Sequence, residues 1–157
     1  RVDLRAPLRR HDAEAADRVF AAAWPVTLIG LDVTQRTVMG SADLARYSRA
    51  GNPLAAHLAR ITPFYLGFTR RNDGIDGIFV HDSTAVAYMV CPEAFTIQKH
   101  RVRVETQGFA RGKTWPARVG VYGGDAWGDR READIAVAVD SGRTVALELA
   151  RVCGDGA

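Results

Sequence analysis

Cysteine is scarce: Cys91 and Cys153 are the only two among 157 residues. They lie far apart and outside any Cys-x-x-Cys spacing, which excludes a thiol redox motif and a zinc knuckle and leaves two free, buried thiols as the expectation. Long apolar runs are missing as well. None approaches the ~20 residues that a membrane-spanning helix needs, and the basic start, with Arg1, Arg5, Arg9 and Arg10 around Pro7, has no hydrophobic middle of the signal-peptide kind. A cytoplasmic protein with no membrane partner is expected. An excess of one charge is also lacking, since 21 basic residues face 18 acidic ones for a net charge of +3. The arginines are spread along the chain, so a nucleic-acid partner is not demanded even at a pI near 9.2. No internal repeat or low-complexity tract occurs.

What is present suits one domain with a real core: 47% hydrophobic and 25% charged residues. Residues 1–11 show no sustained period and read as a poorly ordered or foreign leader, with 154–157 as a tail. Asp12 opens a helix that places Ala16, Val19, Phe20 and Ala23 on one face before Trp24-Pro25 ends it. Residues 26–33 are apolar almost throughout, which predicts a strand at the centre of a sheet covered on both faces, with Asp32 and Thr34 at its carboxyl end in structural roles. Ser41 is expected to cap a helix through Leu44 and Tyr47. A second helix follows Asn52-Pro53, with Leu54, Leu58 and Ile61 inward and a bend or end at Pro63. Phe64, Tyr65 and Phe68 then read as a core aromatic cluster. Further on, Val102 and Val104 alternate with Arg101, Arg103 and Glu105, predicting a hairpin whose second strand lies near 118–122; residues 135–139 form one more strand, and Val145, Leu149 and Val152 share a face of a closing helix.

One stretch stands out from this frame. Ile78, Phe79 and Val80 form a short buried strand after two glycine turns, then His81-Asp82-Ser83-Thr84 leads into helical spacing through Ala85, Val86, Met89 and Val90 until Pro92. Two readings stand on these residues. In one, Asp82 is only an N-cap accepting backbone N–H groups, worth ~1 kcal/mol. In the other, the strand ends at a site, where open α/β sheets bind ligands: the carboxylate offers oxygen to a hard cation, and the histidine delivers a proton near neutral pH.

Val80-His81-Asp82-Ser83-Thr84-Ala85-Val86-Ala87-Tyr88, taken with Val26-Thr27-Leu28-Ile29-Gly30-Leu31-Asp32-Val33-Thr34, resembles the C-terminal half of the calcium-dependent (inosine-uridine preferring) nucleoside hydrolases. The resemblance runs from about Asp12 to Val152. It implies an α/β fold, the C-terminal portion of a nucleoside hydrolase: a Rossmann-like mixed sheet flanked by helices, plus a β-hairpin, over residues 12–153. It implies Asp82 as a ligand of Ca2+, His81 as the catalytic residue that assists departure of the nucleobase, and a ribonucleoside as substrate. In that family the segment before the His-Asp pair can bring an aromatic ring onto the base, and Tyr65 is the candidate here.

Two family features have no counterpart in these residues. The aspartate-rich motif that supplies most calcium ligands and the general base is absent, and where the family has a glutamate and an asparagine that hold the ribose this chain has Ala6 and Leu8. The expectation is a C-terminal fragment lacking its N-terminal half and inactive alone, and the DNA just upstream, read in all frames, is where that half should be found. Three functions compete: N-ribosyl hydrolysis of nucleosides; a non-catalytic relic that oligomerises or binds nucleoside; and, well behind, nucleic-acid binding through the basic hairpin. A homo-oligomer is expected, because half a sheet exposes apolar edges.

Overall fold

The computed structural model describes residues 12–117, 127–128 and 130–154. In chain order the elements are α1 (Ala13–Ala21), β1 (Thr27–Leu28), α2 (Leu31–Thr34), β2 (Val38–Gly40), α3 (Ser41–Arg49), α4 (Pro53–Asn72), β3 (Gly77–Phe79), α5 (His81–Val90), a 3-10 turn (Pro92–Ala94), β4 (Phe95–Val104), β5 (Thr114–Pro116), β6 (Glu132–Val139) and α6 (Ser141–Cys153). They form two compact units. One runs to Val33 and resumes over Phe95–Ala138; the other comprises Thr34–Ala94 and the chain from Val139 onward.

The first unit is a mixed sheet in the order β1-β6-β4-β5, with β1 parallel to β6 and β4 antiparallel to β5. Leu28, Val102, Ala133 and Ile135 form its core, with Phe20, Val26 and Val137 packed against them. The predicted alternation holds in β4, where Val102 and Val104 are buried and Arg101 and Arg103 exposed. The described partner of β4 in the hairpin is β5; the strand expected at 118–122 falls outside the described residues, as does the 1–11 leader. The apolar 26–33 run gives only two residues of strand. Gly30 then ends the extended backbone and Leu31–Thr34 closes into a turn of helix, its entry marked by Val33 N–H donating to Gly30 O at 3.1 Å. Among the described residues β1 is also an edge of its sheet, not the centre.

In α1, Asp12 is the N-cap, its Oδ1 accepting from Ala15 N–H at 2.8 Å. The inward face is the expected one only in part, at Ala16 and Phe20. Val19 is exposed, while Ala13 is buried and Ala16, Asp17 and Phe20 are half-buried. Asp17 takes an inward position because Arg130 meets it, with guanidinium nitrogens 2.6 and 2.9 Å from its two oxygens, and because Val104 N–H donates to it at 2.8 Å. A charge can face inward when its partners come with it.

The second unit packs α3, α4 and α6 around the antiparallel pair β2–β3. Its core holds Met39, Leu44, Tyr47, Ala55, Ile78, Val80, Val145, Leu149 and Cys153. The cap of α3 is Gly40 rather than Ser41: Gly40 N–H donates to Asp43 Oδ2 at 3.2 Å, and Ser41 is the first helical residue, its hydroxyl bonded to Asp76 instead. Helix α4 does not stop at Pro63. It continues to Asn72 because Ala55, Leu58, Ala59, Tyr65 and Leu66 all pack on the core, and that burial outweighs the one hydrogen bond that proline deletes. The inward face of α4 is therefore Ala55 and Leu58, and Leu54 and Ile61 are exposed; so are Phe64 and Phe68, which are not core residues as expected. Both cysteines are free and buried.

Candidate functional site

The carboxyl end of β3 is fixed by its partners on both sides. Ile78 and Gly77 are buried, Gly77 lies opposite Gly40 in the ladder, and the Thr69 hydroxyl of α4 donates to the Gly77 carbonyl. Only glycine fits at 77, since a Cβ there would stand 2.6 Å from Val38 Cγ1 and 2.8 Å from Met39 O. Val80 N–H donates to Thr37 O at 3.2 Å, and the Val80 carbonyl accepts from Thr84 N–H at 3.0 Å and from the Thr84 hydroxyl, which opens α5.

The helix consequently begins at His81. Asp82 sits in its first turn and is not the N-cap, a position that Val80 occupies without any side-chain bond. The Asp82 side chain is exposed, so the bland capping explanation for this carboxylate is gone. A negative charge in the first helical turn is still favourable.

His81 is held on two sides. Its ring stacks on Phe79, centroids 5.4 Å apart and planes 27° apart, and its Nδ1 lies 2.8 Å from the hydroxyl of Thr34. Burial lowers the pKa of the imidazole below its ordinary value, and the nearby Asp82 charge offsets this only in part. The downward shift favours the neutral ring at pH 7. Tyr65 is half-buried on α4, its ring 6.4 Å from that of Phe68. Burial, with the charges of Asp73 and Asp82, raises its hydroxyl pKa, so it stays protonated and feels the same carboxylate that adjoins His81.

Reasoning from sequence named Thr34 but gave it a structural role, and missed its bond to His81 and the stacking role of Phe79. The Thr34–His81 bond joins residues 47 positions apart, and no local period encodes such a pair. The one usable signal was a hydroxyl at the end of an apolar run, which reads equally well as a residue satisfying its own backbone.

Calcium requires about six to eight oxygen ligands. Among the described residues no three His, Cys, Asp or Glu side chains come together as a metal group. Asp82 offers one carboxylate, so these residues by themselves do not fit a calcium site. In the hairpin, Lys99 pairs with Asp134 at 3.3 Å, Arg111 with Glu14 at 2.6 Å, and Lys113 lies 4.4 Å from the ring centroid of Trp115. Much of the basic ribbon is thus engaged within the molecule.

Residues 10–146 match the model of a family described as inosine-uridine preferring nucleoside hydrolase. The pyrimidine-specific ribonucleoside hydrolase RihA of Enterobacter sp. (strain 638) is 38% identical over 105 residues, 66% of this chain and 34% of that protein. RihA of Shewanella woodyi is 38% identical over 117 residues, 73% of this chain and 38% of the relative. Among solved structures, a plant nucleoside hydrolase superposes with a TM-score of 0.83 at 27% identity, covering 89% of this chain and 45% of that one. A purine-preferring ribonucleoside hydrolase from Gardnerella vaginalis gives 0.76 at 28%, covering 90% and 43%. The chain spans about a third of the length of the curated relatives it matches.

Proposed function

Because the chain belongs to the inosine-uridine preferring nucleoside hydrolase family, we propose that it carries the leaving-group side of an N-ribosyl hydrolase acting on ribonucleosides. The observation that carries this reading is a half-buried imidazole at the first position of a helix, its Nδ1 2.8 Å from the Thr34 hydroxyl, beside an exposed carboxylate. In nucleoside hydrolysis the C1′–N bond breaks, a water oxygen bonds to C1′, and the base departs with the electron pair and takes up a proton. Negative charge builds on the base as it leaves. A neutral imidazole N–H can donate to that charge, and the positive end of a helix dipole favours the neutral ring over the cation. His81 takes this role, and Tyr65 supplies a protonated, amphipathic ring for the base to lie against. The substrate class is the ribonucleoside as such, since the named relatives include both pyrimidine and purine specialists.

Asp82 would contribute one carboxylate to a Ca2+ held mainly by residues outside those described. An ion offered a single exposed carboxylate stays hydrated. The isolated chain should therefore bind calcium weakly and turn over no nucleoside. Joined to the N-terminal part of a matching relative, the same residues should hydrolyse inosine or uridine and lose that activity on Asp82→Ala and on His81→Ala. Calorimetry with calcium and a ribonucleoside, beside a turnover assay, decides this. Robust turnover by the purified chain that His81→Ala abolishes would overturn the reading. A joined protein that binds nucleoside but never hydrolyses it would favour a non-catalytic binding module. A cytoplasmic, self-associating protein completes the proposal, the location to be checked by fractionation, with recovery in the membrane pellet counting against it.

A further inference from the structure

We propose that Thr34 is a positioning residue for His81: its hydroxyl donates to Nδ1 and so holds the imidazole in the tautomer that carries its proton on Nε2. The inference rests on the reading of His81 as the residue facing the leaving base. Thr34 is buried, at 3% exposure, and ends α2. Its hydroxyl lies 2.8 Å from Nδ1. The spacing is set by the backbone, because Thr37 N–H donates to Thr34 O at 3.1 Å and Val80 N–H donates to Thr37 O at 3.2 Å, linking the two segments just beside the ring. Phe79 covers one face of the imidazole. Rotation about the side-chain bonds is thus opposed at an edge and at a face.

The direction of the bond follows from counting protons. A neutral imidazole has one donor and one acceptor nitrogen, and a hydroxyl can serve either. If Nδ1–H donated to the threonine, the hydroxyl proton would need another acceptor, and among the described residues Thr34 Oγ1 has no other partner. A buried donor left without an acceptor keeps the full cost of its desolvation. Donation from Thr34 to Nδ1 leaves neither the hydroxyl proton nor Nδ1 unpaired and puts the imidazole proton on Nε2, which has no hydrogen bond among the described residues. That is the nitrogen available to an incoming base, and a partner on one ring nitrogen commonly fixes what the other can do.

The test reads the tautomer directly and needs no substrate. In two-bond proton–nitrogen correlation spectra of the 15N-labelled chain at pH 8, the His81 signals are identified by their loss in His81→Ala. They should show a pyridine-like Nδ1 and a pyrrole-like Nε2. Thr34→Val, close in shape but without the hydroxyl, should give a mixture of tautomers, and Thr34→Ser should restore the single form. A proton on Nδ1 in the unsubstituted chain would overturn the proposal, and this outcome requires only the assignment variant His81→Ala to fold. An unchanged single tautomer in a folded Thr34→Val would overturn it too. Failure of the nucleoside hydrolase reading shows instead as an active joined enzyme indifferent to His81→Ala, so the two failures are distinguishable.

Discussion

At the residue scale, Asp17 shows how one half-buried carboxylate ties a helix to a sheet. Burial works against its charge, but the paired Arg130 guanidinium and the Val104 N–H outweigh burial and hold its pKa below the ordinary value. A depressed folded pKa means stability that is fully present above the unfolded value, ~3.9, and lost as pH falls through the folded value. Asp17→Asn should therefore lower stability at pH 7 by about 2 kcal/mol, on the scale of hydrogen bonds to a charged group. The gap between variant and parent should narrow as pH drops from about 4 to 2, within the carboxylate range. Urea midpoints at pH 7 and at acid pH check this; a gap that stays constant across the range would mean that the pair contributes nothing through its charge.

At the element scale, the β2–β3 pair is a close joint beside the site, and Gly77 is what allows it. The contacts that a methyl group would make, 2.6 Å to a side chain and 2.8 Å to a backbone oxygen, cannot be relieved without moving a strand. Gly77→Ala should destabilise by about 1–3 kcal/mol, as overpacking does, and a thermal midpoint equal to that of the parent would refute the argument. The sequence made some elements legible and others not, for reasons that these residues display. Leu44 and Tyr47 in α3, Val102 and Val104 in β4, and Val145 and Leu149 in α6 are buried where periodicity puts them. Helix α4 passes Pro63 because the penalty is local while the burial is spread along the whole helix. Helix α5 turns over: Val86, Met89 and Val90 face outward, and Thr84 and Ala87 are buried instead. Small side chains permit close packing, and the Thr84 hydroxyl is satisfied by Val80 O, so hydrophobic patterning pointed to the wrong face. At the site, His81 and Asp82 were legible because they are adjacent in a motif. The bond from Thr34 to His81 was not, because it is supplied by tertiary structure.

At the scale of the whole molecule, the exposed apolar side chains are too many to ignore. Phe64 is 82% exposed and Met89 81%, and Leu54, Val86 and Val90 are each more than half exposed. Exposed apolar surface of this kind drives association, so the chain should sediment as oligomers at micromolar concentration, and Phe64→Ser with Met89→Ser should shift it toward monomer. A monomer in the unsubstituted chain would contradict this. Chain order carries another consequence. The second unit is made of two stretches, Thr34–Ala94 and the chain from Val139 onward, with Phe95–Ala138 between them. Tyr47 donates to Glu148, and Asn52 to the carbonyl of Val152. During synthesis, therefore, the segment bearing Thr34 and His81 leaves the ribosome long before the helix that completes its core. At ~5–20 residues per second, it waits several seconds with Met39, Leu44 and Tyr47 uncovered, and the aggregation hazard of this chain is concentrated in that interval.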